Sequence, residues 1–117
     1  ADGVLYNKNK TALLAYPAGK TGTASIPVGV TRIGDSAFVM CNITSITIPA
    51  GVTHIGDYTF WVCTSLGSVT FLGTISSANF SDRFPFAGDL RSKYLAGGPG
   101  TYTTTAPVLH DAVWTGP

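Results

Sequence analysis

Few side chains in this sequence belong to the types that perform chemistry, and their spacing decides what each can do. Cys41 and Cys63 are the only two cysteines. A zinc site needs further sulfur, nitrogen or oxygen ligands at suitable spacing, and none accompany them. His54 falls where Arg32 stands one unit earlier, and His110 sits beside Asp111, the order of a base and an orienting carboxylate. Neither histidine has a Ser or Cys nucleophile whose placement the pattern explains, so no nucleophilic chemistry is predicted. Gly97-Gly98-Pro99-Gly100 is as glycine-rich as a phosphate cradle, yet no strand and helix flank it in the required order and no Gly-Lys-Ser/Thr appears. It reads as a loop. Asn42-Ile43-Thr44 and Asn79-Phe80-Ser81 match the glycosylation sequon, a motif frequent by chance, and take no assigned role. The chain is expected to have no catalytic, cofactor-binding or metal-ligating residue and not to be an enzyme.

Composition narrows the partners. The 117 residues fit one domain with a real core, so no metal or disulfide staple is required. Apolar residues make up 44% and charged residues 11%, against a usual charged share of about 25%, so the surface must be poor in charge. Seven Lys and Arg stand against six Asp and Glu. That balance leaves no electrostatic footprint for nucleic acid or anionic lipid. No apolar run reaches the roughly 20 residues of a membrane span. The start, Ala1-Asp2-Gly3, has neither an initiating Met nor a basic-then-apolar leader, so the chain reads as cut from a longer precursor or protein.

An internal repeat organises what lies between. Ile26-Pro27-Val28-Gly29-Val30-Thr31-Arg32-Ile33-Gly34-Asp35-Ser36-Ala37-Phe38 aligns with Ile48-Pro49-Ala50-Gly51-Val52-Thr53-His54-Ile55-Gly56-Asp57-Tyr58-Thr59-Phe60, and Cys41 with Cys63. Ile43, Ile46 and Ile48, then Leu66, Val69 and Phe71, follow L-x-x-L-x-L, whose alternating end predicts one short strand per repeat. The Pro after Ile26 and Ile48 ends that strand because it lacks a ladder donor. Val30, Ile33, Val52 and Ile55 are expected inside. Asp35 or Asp57 then caps a single helical or 3₁₀ turn ending at Phe38 or Phe60. Each unit is too small to bury its own apolar side, so stacked neighbours supply the core. Stacking also places Cys41 and Cys63 one repeat apart with roughly parallel side chains, a geometry that favours two buried, unlinked thiols.

The expected fold is a β-rich solenoid, a leucine-rich-repeat-like right-handed superhelix, in one domain of three parts. Residues 1–25 form an N-terminal capping hairpin, 26–72 two full repeats and 73–117 a C-terminal cap. Val4-Leu5-Tyr6 and Ala12-Leu13-Leu14-Ala15-Tyr16 supply the hairpin strands around Asn7-Lys8-Asn9-Lys10. Asp89, Leu90, Tyr94 and Leu95 before Gly97 and Gly98 predict a short capped helix, residues 101–105 and 113–115 two final strands, and Phe80, Phe84 and Phe86 a cover for the open end.

Two surfaces could bind a partner. Val39-Met40 and Trp61-Val62 lie between the buried Phe and Cys of each unit. Either they turn inward, or four apolar side chains form one patch on the order of 300 to 400 Å², a size that usually marks an interface, with Trp61 as anchor. Alternation puts Thr23, Ser25, Ser45, Thr47, Ser68 and Thr70 on the strand side opposite the core, either as ordinary exposed-strand residues or as a hydroxyl face for a ligand or partner.

The text I-P-x-G-V-T-x-I-G-D-x-x-F-x-x-C, at residues 26–41 and 48–63, resembles the BspA-type, or Treponema pallidum-type, leucine-rich repeats of bacterial surface proteins. Residues 2–8 leading to Tyr16-Pro17, and residues 89–103 with Trp114 later, are similar to the segments that flank such repeats. The resemblance implies export to the bacterial cell surface or periplasm and a role in adhesion or partner binding, without catalytic residues or cofactor. With the low charge and the apolar pairs, the expected function is a non-enzymatic protein-interaction or adhesion module of the bacterial envelope that forms a homo-oligomer or binds a host or envelope protein. The competing expectation is a small hydrophobic or glycan ligand held in an apolar cleft beside Trp61 or another aromatic.

Overall fold

A computed structural model describes residues 4–17, 19–61, 63, 65–83, 85–86, 89–104 and 113–117. The longer repeat strands are β3 (Thr21–Ser25), β5 (Asn42–Ile48) and β7 (Ser68–Phe71), paired in parallel, with β8 (Gly100–Thr103) added antiparallel at the end. Ile43, Ile46 and Ile48 on β5, and Val69 and Phe71 on β7, face the core, as the alternation requires. β3 ends at Ser25, two residues before Pro27, and β5 at Ile48, directly before Pro49.

The expectation of one strand per repeat is corrected: each unit carries a second, two-residue strand. β4 (Arg32–Ile33) and β6 (His54–Ile55) pair in parallel with each other, and β2 (Ala12–Ala15) pairs with β4. Two residues are too few for periodicity to reveal. β1 (Leu5–Tyr6) closes the N-terminal hairpin antiparallel to β2, giving a second sheet in the order β1-β2-β4-β6. Asn7 holds the hairpin turn, its Oδ1 accepting the N–H groups of Thr11 and Ala12 at 2.8 and 3.0 Å. Thus β2 both shields the end of the stack and stands in for the short strand of a preceding repeat.

The expected helical or 3₁₀ turn before Phe38 and Phe60 is also corrected. Residues 34–41 form overlapping turns in which the N–H groups of Ala37, Val39 and Cys41 donate to carbonyls three residues back. The alternate N–H groups, of Ser36, Phe38 and Met40, instead donate to Asp57, Thr59 and Trp61 of the next unit, at 2.8 to 2.9 Å. Those of Tyr58 and Phe60 reach Arg83 and Pro85 in the same way. A helix would spend every donor inside its own unit, whereas here half of them bind the units together. This alternation requires left-handed backbone at Ser36, Met40 and Tyr58, with φ of 57°, 56° and 54°. Each such residue costs about 1 kcal/mol or more, and the stacked bonds hold it there. Asp35 caps no helix either, because its Oδ1 accepts the N–H of Asp57 one unit on, at 2.8 Å.

The core is a continuous stack. Tyr16, Phe38, Phe60 and Phe86 lie ring on ring, with centroids 4.6, 4.7 and 4.4 Å apart. Phe38, Phe60, Cys41 and Cys63 are all buried, as are Val30, Ile33, Val52 and Ile55. Phe86 occupies the aromatic position of a third unit, and Phe80 pairs with Ile55 through an isolated parallel bridge. Phe84, expected beside them, lies outside the described residues. A single 3₁₀ turn at Ser77–Asn79 and helix α1 (Leu90–Gly97) complete the C-terminal cover.

Asp89 precedes α1 without a side-chain capping bond; its carboxylate instead accepts the Trp114 N–H at 2.9 Å and pairs with Lys93 at 3.3 Å. From α1, buried Tyr94 stacks on Phe71 at 4.0 Å, donates to Gly73 O and accepts from Ile75 N–H, both at 2.8 Å. Val113–Thr115 contributes a single antiparallel bridge, Thr103 to Thr115, rather than a full strand.

Phe60→Ala should cost about 3 to 5 kcal/mol, because it opens the stack at its centre. Urea titration followed by circular dichroism checks it, and a loss below about 1 kcal/mol would contradict the stack. Burial pushes the Tyr94 phenol up from its ordinary value. A raised folded pKa gives stability that is complete below the unfolded pKa of about 10 and declines as pH rises through the folded value. Tyr94→Phe should cost about 1 to 3 kcal/mol at neutral pH by leaving Gly73 O and Ile75 N–H without a partner. It should also flatten the fall of the urea midpoint above about pH 10; equal alkaline slopes in both proteins would contradict this role.

Candidate functional site

Three surfaces remain once the core is assigned. The first is the outer edge of the stacked turns. Met40 is 59% exposed on its left-handed backbone, Val39 is half-buried, and half-buried Trp61 meets Tyr58 edge to face at 5.7 Å. Val62, the fourth residue of the expected patch, lies outside the described residues.

The second is the outer face of the β3-β5-β7-β8 sheet. Register sets Thr23 beside Ser45, Ser68 and Thr103, and Ser25 beside Thr47, Thr70 and Thr101. The six hydroxyl residues expected there share that face, and β8 adds two more that the repeat pattern does not contain. Thr23 Oγ1 and Ser45 Oγ bond at 2.8 Å, and Thr70 Oγ1 and Thr101 Oγ1 at 2.9 Å. Thr44 is an extra residue on β5 opposite the Gly22–Thr23 step, where the register shifts.

The third surface is a cleft of about 440 Å³ across β4, β6 and the bridge at Phe80. Arg32, Gly34 and Asp35 line it from one unit, His54, Gly56 and Asp57 from the next, and Ala78, Asn79 and Ser81 from the third. Arg32 and His54 are direct register partners. His54 Nδ1 bonds Thr53 Oγ1 at 2.8 Å. The Ser81 hydroxyl donates to Asp57 Oδ1, so each aspartate uses one oxygen to tie its unit to the next. Gly56 is required by that tie, since a Cβ there would come within 2.2 Å of Asp35 Oδ1. The repeat pattern alone does not announce this cleft. Its signal was legible as three aligned tetrads, Arg32-Ile33-Gly34-Asp35, His54-Ile55-Gly56-Asp57 and Asn79-Phe80-Ser81-Asp82. The third is so degenerate that only the Ile55 to Phe80 bridge sets its register.

Among the described residues, the remaining chemistry-bearing side chains lie apart from one another or in the core. The hydrogen bond with Cys41, together with burial, pushes the Cys63 thiol up, away from the thiolate that nucleophilic chemistry needs. Cys63 Sγ donates to Phe38 O at 2.8 Å, Cys41 Sγ to Tyr16 O at 3.7 Å, and both thiols are free. His110 and Asp111 lie outside the described residues. Gly97 ends α1 and Gly98, at φ 79°, donates its N–H to Tyr94 O, so this glycine-rich stretch terminates a helix. Among the described residues, no group of three His, Cys, Asp or Glu could hold a metal, and no helix is long and apolar enough to cross a membrane.

Comparison with known proteins places this architecture. Residues 19–85 match the profile of the family described as BspA type Leucine rich repeat region (6 copies). A leucine-rich repeat protein from Eubacterium ventriosum, known from its crystal structure, is similar at 29% identity with a TM-score of 0.45, over 64% of this chain and 27% of that one. This chain therefore corresponds to about a quarter of that protein's length. No curated protein matches the sequence. The family match covers more than half of the chain, and it falls on the units whose rings and turns stack here. The chain belongs to the BspA-type leucine-rich repeat family, a non-enzymatic repeat family.

Proposed function

We propose that this chain is a protein-interaction module displayed at the bacterial envelope, and that it associates with its own copies through the outer edge of the stacked turns. One observation carries the reading. Met40, a large apolar side chain, is 59% exposed on a backbone segment held in a costly left-handed conformation by bonds to the next unit. Strain of this kind concentrates where a side chain must be presented in a fixed direction. Val39 and Trp61 flank it, and Trp is the residue type most often found as an interface anchor. Family membership supports a binding role over a catalytic one. Display at the cell surface or in the periplasm, and adhesion to a host or envelope protein, follow the habit of the family. The sheet face of Thr and Ser hydroxyls is the second candidate surface for such a partner.

The competing idea, a hydrophobic ligand in an apolar cleft beside Trp61, finds less support. The cleft across β4 and β6 mixes charged and polar groups with Ile33, Ile55 and Ala78, and Trp61 is not in its lining.

Exposed Met40 with half-buried Val39 and Trp61 offers apolar area for a modest isologous dimer, the commonest product when a patch pairs with its own copy. Light scattering should show wild type above monomer mass at tens of micromolar. A Met40→Ser, Trp61→Ser double variant should be monomeric with an unchanged circular dichroism spectrum. A monomeric wild type, or a folded variant that assembles as before, would contradict the reading.

A further inference from the structure

The cleft across β4 and β6 carries a different inference, independent of the outer edge. Its two rims differ in hydrogen-bonding sense. Register sets Arg32, His54 and Asn79 in one column along the stack, Gly34, Gly56 and Ser81 in the next, and Asp35 and Asp57 beyond them. The two glycines leave the first two tiers without side chains between the cationic and the carboxylate columns, and the third tier carries the Ser81 hydroxyl there. Corresponding residues repeat from tier to tier at the strand spacing of about 4.8 Å.

Several of these groups are uncommitted. The Arg32 guanidinium makes no ion pair or hydrogen bond with any described residue. Asp35 and Asp57 engage the stack through Oδ1, which leaves both Oδ2 atoms without a partner among the described residues. His54 is held at Nδ1, which leaves Nε2. A guanidinium and two carboxylate oxygens therefore line a cleft of about 440 Å³, inside the usual range of about 300 to 1,000 Å³ for small-molecule sites.

Three constraints select the ligand. Opposite charges on the two rims disfavour an anion and a cation alike, since either would meet like charge across the floor. The ligand must accept from the Arg32, His54 and Asn79 column and donate to Asp35 and Asp57 in the first two tiers and to no carboxylate in the third, as hydroxyl groups can. Its repeat must also match the tiers. A peptide advances about 3.3 Å per residue and falls out of step with a spacing of about 4.8 Å, whereas a pyranose ring is close to that spacing in length. We propose that the cleft binds a neutral oligosaccharide laid along the stack, one pyranose residue to each of its three tiers, with Arg32 and Asn79 donating and Asp35 and Asp57 accepting.

The test uses the 117-residue chain with cellotriose, maltotriose and chitotriose as probes and tetra-alanine as the competing chemistry. Amide shifts are followed by two-dimensional NMR. At least one trisaccharide should saturably shift the amides of residues 32–35, 54–57 and 79–81, and its constituent monosaccharide should bind at least about tenfold more weakly. Arg32→Ala with Asn79→Ala should weaken the trisaccharide by about tenfold or more without altering the rest of the spectrum. Should the pair disturb the fold, Arg32→Ala alone, a change at an exposed side chain without a partner among the described residues, serves in its place. Silence with all three sugars, shifts confined to another face, unchanged affinity in a folded variant, or tighter binding of tetra-alanine in the cleft would each overturn the proposal.

Discussion

No unit of this chain can bury its own apolar side, so the fold rests on the contact between one unit and the next. That contact has three components. Rings stack at 4.4 to 4.7 Å from Tyr16 to Phe86, two sets of strands pair in register, and alternate turn N–H groups donate across the interface. Each element is weak alone. A two-residue strand such as β4 has no independent stability, and a left-handed Ser36 or Tyr58 opposes it. The neighbouring unit makes these local costs bearable. Repeat proteins in general divide their stability this way, between units that are poor by themselves and interfaces that are good.

The same constraint explains both ends. A stack of identical units would expose an aromatic face and open strand edges at each end, an invitation to further pairing. At the N-terminus, β2 supplies a strand for β4, and Tyr16 a ring for Phe38. At the C-terminus, Phe86, Pro85 and Arg83 supply the ring and the carbonyls of a third unit, while β8 lies antiparallel on β7. Tyr94 then closes the aromatic cluster around Phe71. These covers are mimics of a repeat in geometry while departing from it in sequence.

That departure sets what the sequence could disclose. The period, the inward residues Val30, Ile33, Val52 and Ile55, the Phe and Cys positions and the helix before Gly97 were all legible, because burial repeats with the unit and punctuation by Pro and Gly is local. The second strand was not, since two residues carry no periodicity. The turn reads as helical in the sequence because Asp35 followed by Phe38 has the spacing of a capped turn. Only the next unit, placed to receive the N–H groups of Phe38 and Met40, tells the two apart. Of the surfaces, the hydroxyl face was legible by alternation. The polar cleft depends on Asn79 and Ser81, whose register with His54 and Gly56 is set by the Ile55 to Phe80 bridge of the folded chain.

If neighbouring units hold one another up, they must also open together. Native-state hydrogen exchange measures this most directly, through the amides of Phe38 and Phe60 in the turns and of Ile46 and Val69 in the strands. All four should exchange through a single global opening, with the same free energy and the same dependence on urea. Amides of the first unit that exchange through a separate, much cheaper opening while those of the second stay protected would contradict it.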